Sequence, residues 1–194
     1  MDLKSLSAPL SVSQIDFRIQ SINRGGYATI LAYKDARVDI NRLNASVGVG
    51  KWQRKHELIN SNLFCSVGIW NEEISQWCWV QDVGVESQAA KEKGQASDSF
   101  KRACFNLGIG IELYDYPLIS IKLKASDEMK ASKPEYGEWF IDGQKPKQGW
   151  GLKLKDWVWY SEFTDGSISF LAASDGKETR FKWGLMKKQT VDEK

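Results

Sequence analysis

The chain has 194 residues, with 27 Lys and Arg against 25 Asp and Glu, for a net charge of +2. Its one histidine, His56, rules out a metal cage built from histidines, and any Ser-His-Asp or Cys-His nucleophile would have to rest on that one imidazole. No phosphate loop of the form G-x-x-x-x-G-K-[ST] occurs, no GxGxxG opens a helix, and no apolar run is long enough to span a bilayer.

The N-terminal stretch lacks an apolar signal core, so a cytoplasmic protein is expected. The cysteines Cys65, Cys78 and Cys104 form no CxxC pair and read as reduced, buried small hydrophobes. The carboxylates are scattered (Glu72-Glu73, Asp127-Glu128, Asp192-Glu193), and no cofactor is expected. Charge is uneven along the chain. Residues 1–60 hold nine Lys and Arg against five Asp and Glu, and residues 61–120 hold four against eight. An anion-binding surface would therefore be assembled locally, from the first third together with Lys101 and Arg102.

In chain order, residues 1–12 read as a loose arm. Residues 13–23 (SQIDFRIQSIN) predict a short helix with Ile15, Ile19 and Ile22 on one side. Arg24-Gly25-Gly26 turns the chain into a strand, Tyr27–Tyr33. Asp35 then caps a second helix, in which Ala36, Ile40, Leu43 and Val47 recur at spacings of four, three and four. Arg37 and Arg42 lie off that stripe. Solvated arginines are the common case, but Arg37 falls in the first turn, where a cation opposes the helix dipole and an anionic partner would relieve it.

Gly48 to Gly50 breaks this helix. Residues Lys51–Leu58 (KWQRKHEL) alternate without an apolar face, which suits an exposed edge strand. The interleaving of Lys51, Arg54 and Lys55 with Trp52 suits single-stranded nucleic acid equally well. Leu63–Trp70 is a second strand with Leu63, Cys65, Val67 and Ile69 inward. Asn71–Ser75 closes a hairpin into a third strand, where Trp77, Trp79, Val83 and Val85 share one face and Gln76, Cys78, Val80 and Asp82 the other.

After a switch at Gly84–Ser87, with Ser87 as cap, one long helix is predicted. Its buried stripe is Ala89, Ala90, Ala96, Phe100, Ala103, Cys104 and Leu107, and Gly108 ends it. Lys101 and Arg102 lie in its last turns, where cations also simply favour the dipole. Extended chain continues to about Lys124, followed by a polar linker at 125–134. Residues 135–184 are dense in aromatics, and Asp142-Gly143, Asp165-Gly166 and Asp175-Gly176 mark two or three small hairpins. Those aromatics read as a small core, or alternatively as a partner or DNA surface. Residues 185–194 read as a disordered tail. The expected class is α+β: a β-β-β-α core, an antiparallel meander packed on a long helix, with additional helices and a small aromatic-rich β appendage. The expected domain is 1–124 with 135–184 as the appendage.

The run DVGVES…KEKGQASDSFKRACFNLGIG, preceded by a tryptophan-bearing meander, resembles the Rad-fifty-two family of single-strand annealing proteins, and more narrowly its short members from bacteriophages and mobile elements. The resemblance covers about residues 12–117 and is most specific at Ser97-Asp98-Ser99-Phe100-Lys101-Arg102-Ala103, with Gly108 and Gly110 following. A second match is Ala36-Arg37-Val38 opening a helix, with Trp52 starting the meander.

The resemblance implies subunits assembled into rings or helical arcs, with single-stranded DNA in a basic groove. It implies annealing without ATP and without any bond made or broken, so no enzyme. The family's groove cations fall on Lys101, Arg102 and Arg37. Lys51, Arg54 and Lys55 extend the groove by inference from their strand rather than by motif. Expected partners are single-stranded DNA, further copies of the chain, and a host single-strand-binding protein, with no membrane. Residues after Pro134 have no counterpart in the resemblance. Three alternatives stand beside annealing: an end protector that binds strands without annealing them, a metal-dependent nuclease, and an interaction module in which Lys101 and Arg102 only balance a helix dipole.

Overall fold

A computed structural model of the chain describes residues 3–85, 91–125 and 133–186. The proposed cap at Ser87, the stripe positions Ala89 and Ala90, most of the 125–134 linker and most of the 185–194 tail lie outside the described residues. The chain divides into two compact units, 1–15 with 34–114, and 16–33 with 115–194.

The expected α+β class, with a long helix at its centre, is overturned. Strand accounts for 43% and helix for 23%, and the described residues form four small antiparallel sheets and two α-helices. The clearest departure is at 13–23. Only Val12–Gln14 makes a helical turn, and Asp16–Ile22 is strand β1. The same residues carry two periods. Ile15, Ile19 and Ile22 fit a helix, but Phe17 and Ile19 also alternate with exposed Asp16, Arg18 and Gln20. So short a helix is marginal on its own, whereas β1 gains a backbone ladder from β2 (Tyr27–Tyr33), with Ile19 opposite Ile30 and one irregularity between Ile19 and Ser21. The stretch read as extended from 110 to 124 is also broken. Ile111–Asp115 is a 3-10 turn, and only Ile119–Lys122 is strand, β6.

In the first unit, Asp35 caps helix α1 (Ala36–Ser46), its side chain accepting from the Arg37 N–H. Strands β3 (Trp52–Ile59), β4 (Asn62–Asn71) and β5 (Gln76–Val83) form a three-stranded meander in the order β3-β4-β5. Helix α2 is Lys91–Phe105. Leu43 and Val47 of α1, Cys65, Val67 and Ile69 of β4, and Phe100, Ala103 and Cys104 of α2 form one buried cluster. Both helices thus pack on the same face of the meander, burying the apolar stripes read from the sequence. Gly84 sits where β5 meets α2: a Cβ there would lie 2.2 Å from the Gln95 carbonyl oxygen, so only glycine allows this approach. Gly108 has φ +88° and stops α2. Cys65 and Cys104 are buried as expected, and burial pushes the Cys65 thiol up to about 11. Cys78 is exposed, because its strand lies at the edge of the sheet.

In the second unit, β2 lies between β1 and β6, with Ile119 and Ile121 inward. The hairpin β7 (Trp139–Asp142) and β8 (Lys145–Gln148) turns at Gly143-Gln144, with Asp142 paired to Lys145. Strands β9 (Val158–Thr164), β10 (Ser167–Ser174) and β11 (Thr179–Gly184) form a second meander. Its first turn, Asp165-Gly166, has φ of 53° and 81°, the double left-handed geometry that a two-residue hairpin prefers. The aromatic stretch is not self-contained. Trp159 stacks on Phe17 of β1 with ring centroids 3.6 Å apart. Arg180 on β11 donates to both Glu138 carboxylate oxygens, to Asp175 and to the Lys122 carbonyl, all at 2.8–3.0 Å. Its guanidinium lies 4.8 Å from the Trp157 ring centroid.

Candidate nucleic-acid interface

Six cations were read as site residues, and the structure divides them among four places. Arg37 and Lys101 come together. Arg37 stands in the first turn of α1 with its side chain 84% exposed, and its Nε donates to Asp35 Oδ1 at 2.8 Å. The Asp35 carboxyl is held below the usual range, first by the hydrogen bonds from Arg37 and further by the charges of Arg37 and Lys101. Lys101 also pulls on Asp39, one turn further along α1. The first turn of α1 and the last turns of α2 therefore each bring a cation to bear on one exposed cap carboxylate, Arg37 by hydrogen bond and Lys101 by its charge.

Arg102 points elsewhere. Successive helix residues lie about 100° apart, so it reaches toward β5, where its Nε meets Asp82 Oδ1 at 3.4 Å. Asn106 joins it there, donating to the Gln81 carbonyl at 3.2 Å. Arg54 lies on the helix-bearing face of the meander, its guanidinium 4.5 Å from the Phe100 ring centroid. His56, two residues on, has Nε2 3.2 Å from the Ala96 carbonyl oxygen of α2. Lys55 lies on the opposite face beside Glu57, and Lys51 is paired with Glu72 of the β4–β5 turn. The expectation of one groove running through all six is not what the side chains form. Strand alternation sends Arg54 and Lys55 to opposite faces.

Sequence reading missed a buried charged pair. Lys34 and Asp39 are both essentially inaccessible, with Nζ and Oδ1 2.5 Å apart. Lys34 also donates to the Ile109 carbonyl and sits 4.0 Å above the Phe105 ring. Glu112 Oε1, also buried, accepts from the Leu10 N–H at 2.6 Å. This pair ties the first turn of α1 to the chain leaving α2, which sets the spacing between Arg37 and Lys101. No local signal marks it: a lysine between a strand and a helix cap reads as surface.

Burial lowers the Lys34 ammonium and raises the Asp39 carboxyl to about 6, each partly offset by the other's charge. A raised acid stabilises the fold most when protonated. Its contribution is full below the unfolded value near 3.8 and is lost as pH rises through about 6. The melting temperature compared at pH 4.5 and pH 6.5 is expected to carry this falling component in the wild type, and Asp39→Asn is expected to remove it. An unchanged pH slope in Asp39→Asn would refute it.

No helix among the described residues is long and apolar enough to cross a membrane. Among those residues no three His, Cys, Asp or Glu side chains come together as a metal site would need. No protein-family model matches the chain, and no curated protein matches it.

Proposed function

We propose that this chain binds single-stranded DNA and anneals complementary strands without ATP, as an oligomer acting in recombination or phage DNA metabolism in a bacterial cytoplasm. The observation that carries this reading is that cations from two separate helices act on the exposed start of α1, Arg37 by its bond to Asp35 and Lys101 by its charge on the same carboxylate. A helix N-terminus favours anions, and a phosphate there would gain two cations and the dipole together. The Asp35–Arg37 pair is exposed, and such pairs contribute little, so a phosphate competes with Asp35 at small cost. Arg54 adds a cation above Phe100 on the same face of the sheet. Weak phosphate contacts repeated over many subunits sum to tight binding, so a net charge of +2 per chain is no obstacle.

The test is fluorescent annealing of two complementary oligonucleotides without nucleotide, for wild type and for Arg37→Ala, Lys101→Ala and Lys101→Ala/Arg102→Ala, with oligomer size measured alongside. Wild type is expected to accelerate annealing. The double variant should lose it while keeping its size. Each phosphate contact removed should flatten the plot of log affinity against log salt by about 0.7. Binding without annealing would favour end protection. Metal-dependent shortening of the oligonucleotides would favour a nuclease. If the wild type does not bind single strands, the proposal fails.

A further inference from the structure

The face of the β3–β5 meander opposite the helices carries its own set of side chains. Its residues are given by the pairing register: Gln53 and Lys55 on β3, Ser66, Gly68 and Trp70 on β4, and Trp77, Trp79 and Gln81 on β5. Three tryptophans therefore share a face that no helix of the first unit covers. They run in a row, with Trp70 and Trp77 ring centroids 5.5 Å apart and Trp77 and Trp79 6.1 Å apart.

Trp79 is the most exposed of the three, at 43%. Its position depends on Gly68, the residue directly opposite on β4. A Cβ at Gly68 would lie 2.9–3.0 Å from three atoms of the six-membered indole ring. The ring thus lies across bare backbone and turns its other side outward. Lys55 Nζ is 5.4 Å from the Trp79 ring centroid, and Gln53 and Gln81 are exposed in the same rows.

We propose that this face is a stacking platform for the bases of single-stranded nucleic acid, with Trp79 as the main contact and Trp77 and Trp70 extending it. The inference deepens the single-strand-binding reading and rests on it. A flat indole with one open side is complementary to any planar base, and open sheets with aromatics on neighbouring strands hold two or three bases in this way. Lys55 lies over the ring when no strand is bound, and its flexible four-carbon stem lets the ammonium swing aside to the phosphate next to a stacked base. The lysines here are matched by Glu57 and Glu72, so the face carries little net charge. Its occupant is held by its rings more than by its phosphates, the reverse of the site around Arg37 and Lys101.

The test compares a thymidine 20-mer with an abasic 20-mer that keeps every phosphate. Wild type is expected to prefer the thymidine strand. Trp79→Ala should weaken thymidine binding roughly ten-fold or more while changing abasic binding little and leaving the salt slope intact. Trp79→Phe should restore most of the loss. On the unaltered protein, photocrosslinking of a 5-iodouracil strand should map to Trp79 or Trp77, which frees the test from any folding defect of the variant. Crosslinks confined to the helix side, or thymidine binding unchanged in Trp79→Ala, overturn the platform while strand binding stands. A Trp79→Ala effect on oligomer size alone makes the face a contact between copies and also overturns it. If wild type binds neither strand, this inference and the proposed function fall together.

Discussion

Replacing Phe100 with Ala is expected to cost the first unit about 3–5 kcal/mol, the range for emptying a buried aromatic site. Phe100 is fully buried within the cluster shared by α1, β4 and α2, and its ring stacks beside Trp52 with centroids 6.2 Å apart. The loss combines the transfer of the ring with the cavity left behind, because α1 and the meander cannot both close on the gap. It also removes the surface on which Arg54 rests. Set against a typical total of about 5–15 kcal/mol, this is a large fraction. Urea unfolding, read by hydrogen exchange at the β4 amides, measures it. Phe100→Leu should cost clearly less, because it leaves a smaller cavity. A cost below about 1 kcal/mol for Phe100→Ala would mean that the ring is not a core residue. The prediction also bears on function, since Lys101 and Arg102 are positioned only as well as the helix that Phe100 anchors.

Arg180→Ala is expected to destabilise the second unit by about 3 kcal/mol, near the low end for breaking a buried ion pair. The Arg180 side chain is 4% exposed and bridges Glu138 and Asp175, which are 13% and 12% exposed. Removing the guanidinium leaves two largely buried carboxylates without their shared cation, Asp175 keeping Lys124 and two backbone N–H donors and Glu138 the Lys124 N–H. The low end applies because both keep some solvent. Arg180→Lys should recover only part, since an ammonium retains the charge but not the paired geometry that meets both Glu138 oxygens. Hydrogen exchange at the β10 amides gives the local readout. The hydrogen bond from Arg180 holds the Asp175 carboxyl well below the usual carboxylate range. Its contribution is therefore present above the ordinary Asp value and lost as pH falls. A wild-type stability that rises on acidification through that window, with no such trend in Arg180→Ala, would contradict this assignment.

The same network changes what a truncation at residue 134 would do. The polar stretch 125–134 reads as a boundary near 124, whereas the two compact units divide at 114/115 and the second also takes in 16–33. The packing is not what a detachable appendage would have. Phe17 stacks on Trp159, and Arg180 holds the Lys122 carbonyl. Removing residues 135–194 strips β1, β2 and β6 of the side chains that cover them.

Local order was determined by the sequence alone wherever one period dominated. The stripe Ala36, Ile40, Leu43, Val47 made α1, alternation at Cys65, Val67 and Ile69 made β4, and Asp35 and Gly108 marked a start and a stop, because capping and φ preferences act within a few residues. Tertiary structure decided the rest. Residues 13–23 carried a helical and a strand period at once, and only pairing with β2 chose between them. The sequence separated the two faces of β5 but did not say which was inward. Packing of α1 and α2 on the Cys78, Val80 and Asp82 side left the tryptophans outside. The six cations were legible as residues, but not their division among four places, because strand alternation and helical twist separate neighbours that the eye reads together. The Lys34–Asp39 pair had no local trace: its burial depends on Phe105 and Ile109, some seventy residues away, and long-range burial is what no short window of sequence contains.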